Sequence, residues 1–421
     1  MRPPHRRRVP VALALAAALV LLVPAAAVAD PGDLDPAFGT GGMTTIDVGG
    51  GDTGRQVLPI AGGKLLVLAQ TDTDLAVIRL ESDGDPDLTF GGGDGIATQS
   101  FLEGVEVWSG IALLPNGKIV VVSDAFDGAK ENLGVHRFTA NGDVDSGFGG
   151  GDGKRAIKFD DDFVAYDLAV LPSGKLIVSG ELTVGSDDTV FAVVRLNPAG
   201  TLDTSFGGGD GIVTTQFGPG RDGPWRVAID PFGRIVAGGF AEEVGLGPSD
   251  VALARYTADG HLDHSFSGDG KLRLQVFEGD NDYIQGMALS GSKIVAGLFL
   301  EGGPSDKIGL ARFTPNGALD PTFGGGDGEV IVFGGNREVT GLAIDGDGRI
   351  LAGGADRDPL QMFVARFKPG GKLDTTFGTD GVATTEFGGF AYSQDLQLQP
   401  NGKIVLTGSF GGDVALARFL P

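Results

Sequence analysis

The 421-residue chain has no cysteine, and only four histidines, four methionines, four tyrosines and two tryptophans. Without cysteine there can be no disulfide framework, thiol nucleophile or Cys-based zinc site, so packing and closure must supply the stability. Three histidines lie beyond residue 29, His136, His261 and His264. The one cluster, His261-Leu-Asp-His264, falls on variable positions of a repeated turn, and a zinc site there needs further ligands. No G-x-S-x-G, H-E-x-x-H or Walker sequence occurs, so nucleophilic hydrolysis and nucleotide binding lack a recognisable centre. Beyond residue 29 no apolar run approaches the ~20 residues of a membrane helix, and no stretch of ten residues has helical periodicity.

Residues 1–29 read as a secretory signal peptide. Arg2, Arg6, Arg7 and Arg8 form the positive start, Val11 to Val23 the apolar stretch, and Ala27-Val28-Ala29 the small residues before cleavage. The expected product is an extracellular, secreted protein of residues 30–421. The leader carries four of the 32 basic residues and none of the 55 acids, so its removal takes the formal charge from −23 to −27. Such a surface repels phosphate backbones, which excludes nucleic acid as a partner, and it attracts cations.

What the chain has in excess is glycine, 74 residues, against an average near 7%. The excess follows a repeat. Asp-x-x-Phe recurs seven times, with its phenylalanines at Phe38, Phe90, Phe148, Phe206, Phe266, Phe323 and Phe377. Most copies continue as Gly-Gly-Gly-Asp-Gly and then alternate apolar and polar residues, as in IVTTQF (212–217), the period of a half-buried strand. A hairpin follows, such as IALL-PNG-KIVVVS at 111–123. A further strand ends at Arg79, Arg137, Arg195, Arg255, Arg312, Arg366 or Arg418. Four short strands in each unit, seven times over, predict an all-β, seven-bladed β-propeller. In six copies the arginine precedes the Asp by eight residues, whereas Arg418 has no such Asp after it. Residues 33–48 supply the missing turn and strand. The last blade, with strands near 392–398, 403–408 and 413–419, is therefore expected to be closed by the N-terminal strand.

These motifs ([LV]DxxFGGGDG, PNGKIVV-like hairpins and ARF-type strand ends) resemble the delta-60 repeat family of exported bacterial tandem-repeat β-propellers. The resemblance spans the mature chain. It implies the fold and carries no chemistry. Copies five and seven depart from it by shortening the glycine run, at Phe266-Ser-Gly-Asp-Gly and Phe377-Gly-Thr-Asp-Gly.

The repeated acids Asp35, Asp87, Asp145, Asp203, Asp263, Asp320 and Asp374 read as structural turn formers. They are also placed to pair with the arginine of their own unit, which in water contributes ~0–1 kcal/mol. The second acids, Asp94, Asp152, Asp210, Asp269, Asp327 and Asp380, lie in glycine-rich turns that suit calcium, though they match neither an EF-hand nor a tandem GGxGxD pattern. Calcium is the one cofactor candidate and no metal ligand is assigned.

An aromatic precedes the first hairpin strand in five units: Trp108, Tyr166, Trp225, Tyr283 and Tyr392. Acids gather in the same loops, among them Asp160, Asp161, Asp162, Asp280 and Asp282, whereas the hairpin turns at the other face carry Lys64, Lys118, Lys175, Arg234, Lys293, Arg349 and Lys403. Two readings stand for the aromatics. They wedge between blades, or they form platforms for a sugar or cationic ligand. Function therefore reads as a non-catalytic, monomeric binding or scaffold protein for a glycan, cell-surface polymer or protein. The alternatives are a carbohydrate-active lyase or hydrolase using carboxylates, and a purely structural surface or matrix component. A catalytic site should break the seven-fold pattern on inner strands, where Asp230, Gln285, Gln394, Asp395 and Gln397 are the candidates.

Overall fold

A computed structural model describes residues 29–421 apart from 73, 100–109, 186–187, 243–247, 277–280, 302–306, 335–336 and 358–359. The proposed leader, Trp108 and Asp280 lie outside the described residues. The described chain folds into seven four-stranded antiparallel sheets, with one three-residue 3₁₀ turn as its helical content. None of its helices is long and apolar enough to cross a membrane. The innermost strands are Thr53–Pro59, Gly110–Leu113, Phe163–Val170, Asp222–Ile229, Asn281–Ser290, Arg337–Ile344 and Ala391–Leu398, which number blades 1 to 7. Blade 7 is completed by Met43–Ile46, pairing antiparallel with Asp413–Phe419 in the register Met43↔Ala417 to Ile46↔Val414. The closure expected from the sequence is thus present.

Second and third strands of each blade are buried on both faces and read as near-continuous Val, Leu, Ile and Ala runs, whereas inner strands alternate. Seven apolar clusters form, each shared by two adjacent blades. One joins Val57 and Val67 of blade 1 to Val405 and Leu416 of blade 7, so the core is a closed ring.

The Arg–Asp pairs are buried, which corrects the expectation of a solvated ion pair. Each Arg Nε donates to its Asp Oδ2 at 2.5–2.9 Å, and each guanidinium stacks 4.3–4.9 Å from the Phe of the same turn. The Asp Oδ1 accepts the backbone N–H two residues on, and in several copies a Ser or Thr hydroxyl as well. In six blades the arginine also donates to a backbone carbonyl of the next blade, as from Arg79 to Ala140 O at 2.6 Å and Arg418 to Ser82 O at 2.6 Å. Burial alone would raise these carboxyls. The cations and N–H donors around them win, so all seven sit below the ordinary Asp value.

The hairpin lysines join the same latch. Lys64, Lys118, Lys175, Lys293 and Lys403 reach the Asp of their blade at 2.6–2.7 Å, so their face is not a free basic surface. Blades 4 and 6 close the hairpin with Arg234–Asp230 at 2.6 Å and Arg349–Asp345 at 2.5 Å, and Arg234 also lies 3.5 Å from its latch acid Asp263. Asp230 is therefore a turn acid at the far end of its strand, not an inner-strand catalytic candidate.

The glycine after each Phe must be left-handed. At Gly91, with φ +62°, a Cβ would lie 1.8 Å from Ile96 O. The conformation persists where glycine is lost. Ser267 (φ 53°), at the equivalent position of the fifth copy, and Asp380 (φ 52°), in the shortened run of the seventh, are the non-glycine residues with positive φ among those described.

Candidate functional site

All seven inner strands line one central channel of about 440 Å³. Each described inner strand from blade 1 and from blades 3 to 7 carries a bulge. The residue just past the bulge, or its paired equivalent in blade 2, forms a ring of Gln56, Gly110, Asp167, Arg226, Gly286, Gly341 and Asp395. Three members bridge to the following blade by accepting the N–H one residue beyond the ring. Gln56 accepts from Ile111 (2.7 Å), Asp167 from Val227 (2.9 Å) and Asp395 from Val57 (3.0 Å). Where glycine stands, the next blade moves in: a Cβ at Gly341 would lie 2.4 Å from Leu396 N, and one at Gly110 2.9 Å from Leu168 N. Arg226 can accept nothing and crosses the channel, donating to Thr340 O of blade 6 and Trp225 O, both at 2.9 Å. Burial pushes the Asp395 carboxyl up to about 7 against the opposing N–H of Val57 and charge of Arg226, and it raises Asp167 in the same way.

Above this ring lies the mouth. Tyr166 stands beside the buried Glu181 of its own blade, and Arg221 of blade 4 is 3.6 Å from that carboxylate. Desolvation raises Glu181, opposed by the Tyr166 hydrogen bond and Arg221, and raises Tyr166. Gly223 makes the room, since a Cβ there would lie 2.3 Å from Glu181 Oε1. On the other side Tyr392 Oη donates to Glu338 Oε2 at 2.5 Å, and Gln285 Nε2 to Glu338 Oε1 at 3.0 Å. Arg55 holds Gln70 Oε1 and is depressed by burial. Trp225 of blade 4 and Tyr283 of blade 5 lie stacked, with centroids 5.3 Å apart and planes at 20°, over Phe240 and Phe299. Both rings remain half-buried.

The described aromatics occupy two registers rather than one. Tyr166 and Trp225 sit on the bulge, immediately before the ring, whereas Tyr283 and Tyr392 lie three residues before it. The acids separate too. Asp160, Asp161 and Asp162 are exposed, with Asp161 3.7 Å from Lys130 and Asp162 accepting the N–H of Glu131 at 2.9 Å. Asp282 is fully buried and accepts the N–H of Val276 at 2.6 Å, a role that Asp222 repeats with Phe217 (2.8 Å) and Asp52 with Val48 (2.6 Å). These acids fasten the connector into the inner strands of blades 1, 4 and 5. Burial raises Asp222 to about 6, more than its backbone hydrogen bond offsets.

The acids of the glycine-rich turns are engaged locally. Asp94, Asp152, Asp210 and Asp269 each accept the N–H two residues on, at 2.9–3.1 Å. Among the described residues no three acid or histidine side chains converge as a metal site would require. Reading single residues missed Gln56, Asp167, Arg226, Glu181 and Glu338. For the first three the available signal was an alignment of the seven inner strands on the ring position, where polar residues and glycines replace one another; the two glutamates lie off that position.

A family model described as a domain of unknown function (DUF5122) β-propeller matches residues 62–90, 114–148, 171–206, 233–266, 291–323, 346–377 and 399–421. Each match begins at or near a hairpin turn, and all but the last end on the Phe of Asp-x-x-Phe. Among solved structures, the polysaccharide lyase Uly1 is 9% identical over 87% of this chain and 89% of its own, with a TM-score of 0.53. Sqt1 from Chaetomium thermophilum is 14% identical over 88% and 96%, TM-score 0.46. A calcium structure of a Trichoderma reesei carbohydrate-active enzyme of family AA12 is 14% identical over 89% and 95%, TM-score 0.42. At such identities the likeness is one of fold. No curated protein matches the chain significantly.

Proposed function

This chain belongs to that β-propeller repeat family, and on that premise we propose that it is an exported, non-catalytic binding protein whose ligand is a glycan held at the channel mouth. The observation that carries the reading is the stacked, half-buried Trp225–Tyr283 pair between two polar groups, Tyr166–Glu181 and Tyr392–Glu338–Gln285. Flat aromatic faces suit the C–H faces of sugar rings, and carboxylates and amides suit hydroxyls. Export rests on the leader at 1–29, and the delta-60 resemblance rests on the repeat motifs. A protein or surface polymer is the alternative partner for the same face.

The test is affinity electrophoresis of residues 30–421 through gels containing a neutral, a uronate or an amino-sugar polysaccharide, with Trp225→Ala, Trp225→Phe and Tyr283→Ala beside the wild type. Retardation in one gel, weakened about ten-fold by Trp225→Ala, which is ~1.4 kcal/mol, and retained by Trp225→Phe, supports the reading. No retardation, or retardation unchanged in Trp225→Ala and Tyr283→Ala, overturns it.

A second reading, carbohydrate cleavage, is favoured by Glu181, a buried carboxyl raised toward the acid form beside a tyrosine. New reducing ends or unsaturated products from any of the three polymers, lost in Glu181→Gln, would establish it.

A further inference from the structure

We propose that the channel below the mouth is a socket for one uncharged hexose, the terminal residue of the bound glycan; this rests on the glycan reading above. The cavity of about 440 Å³ falls within the range of small-ligand sites. The wall holds no surplus of ionised acid: Arg55 and Arg226 line it together with Asp167 and Asp395, and burial holds both carboxyls toward the neutral acid. A cationic ligand would meet the arginines, and an anionic one would sit beside carboxyls that lose their proton as pH rises, so a neutral ligand fits best.

Arg226 uses two of the five guanidinium N–H groups on Trp225 O and Thr340 O and forms no ion pair with Asp167 or Asp395. Donors therefore remain, facing two carboxyls that each already accept a strand N–H. Thr340 supplies an independent sign of a missing partner. Its side chain is 6% exposed, lines the cavity, and its Oγ1 has no hydrogen-bond partner. Such a hydroxyl costs free energy until a ligand or water satisfies it. Vicinal sugar hydroxyls suit these groups, accepting from Arg226 and donating to Asp395 and Asp167, and rotation of the Thr340 side chain toward the cavity would give its buried Oγ1 a partner too. Leu58, Val170 and Met287, from blades 1, 3 and 5, add apolar surface around the channel for the sugar's C–H groups.

The experiment is a thermal shift of residues 30–421 with D-glucose, D-galactose or D-mannose, and with D-glucuronate and D-glucosamine as charged comparators. Three variants separate the sites: Arg226→Met removes the donors, Leu113→Trp enlarges an exposed apolar side chain of the channel wall without touching a polar group, and Trp225→Ala strips the mouth. At about ten times its Kd, one neutral hexose should raise the Tm by about 1–2 °C. The shift should survive Trp225→Ala and vanish in both channel variants, each compared with its own unliganded Tm. A shift lost in Trp225→Ala but retained in Leu113→Trp overturns the socket and leaves the mouth as the site. A shift with only the charged sugars, or with none, overturns the socket outright. Polysaccharide retardation in the gels then still reports on the mouth, independently of the socket.

Discussion

Replacing Arg195 by methionine isolates one inter-blade latch while keeping most of the apolar stem. The guanidinium donates to Asp203 Oδ2 at 2.6 Å, to Ser205 Oγ at 3.0 Å and to Ala258 O of blade 4, and lies 4.5 Å above Phe206. Arginine and aspartate side chains are 8% and 7% exposed, so the change leaves a buried carboxylate. Removing one partner of such a pair costs ~3–5 kcal/mol. Lys175 still reaches Asp203 at 2.6 Å, which places the loss at the lower end, and the lost guanidinium–ring contact adds ~0.5–1 kcal/mol. The expected destabilisation is ~3–4 kcal/mol. With an unfolding entropy of ~2 cal/mol/K per residue, a ring that melts as one unit has a ΔSm of ~0.8 kcal/mol/K, so Tm should fall by about 4–5 °C. The pair Lys158–Asp127, with side chains 72% and 31% exposed, is the control, and Lys158→Ala should leave the Tm essentially unchanged because water screens the pair. The assay is calorimetry of both variants with a double-mutant cycle through Asp203→Asn. If Arg195→Met costs no more than Lys158→Ala, the latch is no stronger than a surface pair and the argument from burial fails.

Deleting residues 30–48 should lower Tm by more than about 10 °C, or abolish a cooperative transition. It removes the fully buried Phe38, worth ~2–3 kcal/mol, the Asp35 contacts to Arg418 and Lys403 at 2.7 Å, and the outer strand of blade 7; melting at the wild-type temperature would refute the closure. Asp395 provides a pH test. Its native carboxyl is raised to about 7 from an ordinary 3.8, so the stability tied to its proton is whole below pH ~4 and is lost as pH rises toward 7. Asp395→Asn keeps an acceptor for Val57 N–H and removes that loss, so its Tm should gain on the wild type between about pH 5 and 8; a constant gap would refute the assignment.

The scaffold was legible because the same residues recur at the same chemical task seven times. Asp-x-x-Phe, the glycine run and the hairpin turn each mark a reversal whose geometry is local, and Ser267 shows that the geometry outlives its glycine. Burial of the Arg–Asp pair was not legible. It depends on a carbonyl and a turn contributed by the next blade, as with Arg137 and Pro198 O at 2.8 Å, some sixty residues away. The aromatics were found as residues but not as an arrangement. All four strands share the bulge, but Tyr166 and Trp225 stand one residue before the ring and Tyr283 and Tyr392 three residues before it, an offset that shows only once the inner strands are aligned on the ring.

The channel ring explains why repetition hid the candidate site. At one position per blade, the same seam between inner strands is closed either by a side chain that accepts the neighbour's N–H or by a glycine that lets the neighbour approach. Gln56, Asp167 and Asp395 do the first, and Gly110 and Gly341 the second. Glycine at the position is the simpler solution, because it buries no charge. A carboxyl there carries a desolvation cost that raises both Asp167 and Asp395. Arg226 bridges no seam and gives up the N–H acceptor altogether. Closure alone would accept seven glycines or seven glutamines. The charged residues therefore exceed what the seam requires, and their excess lies on the wall of a cavity that all seven inner strands share.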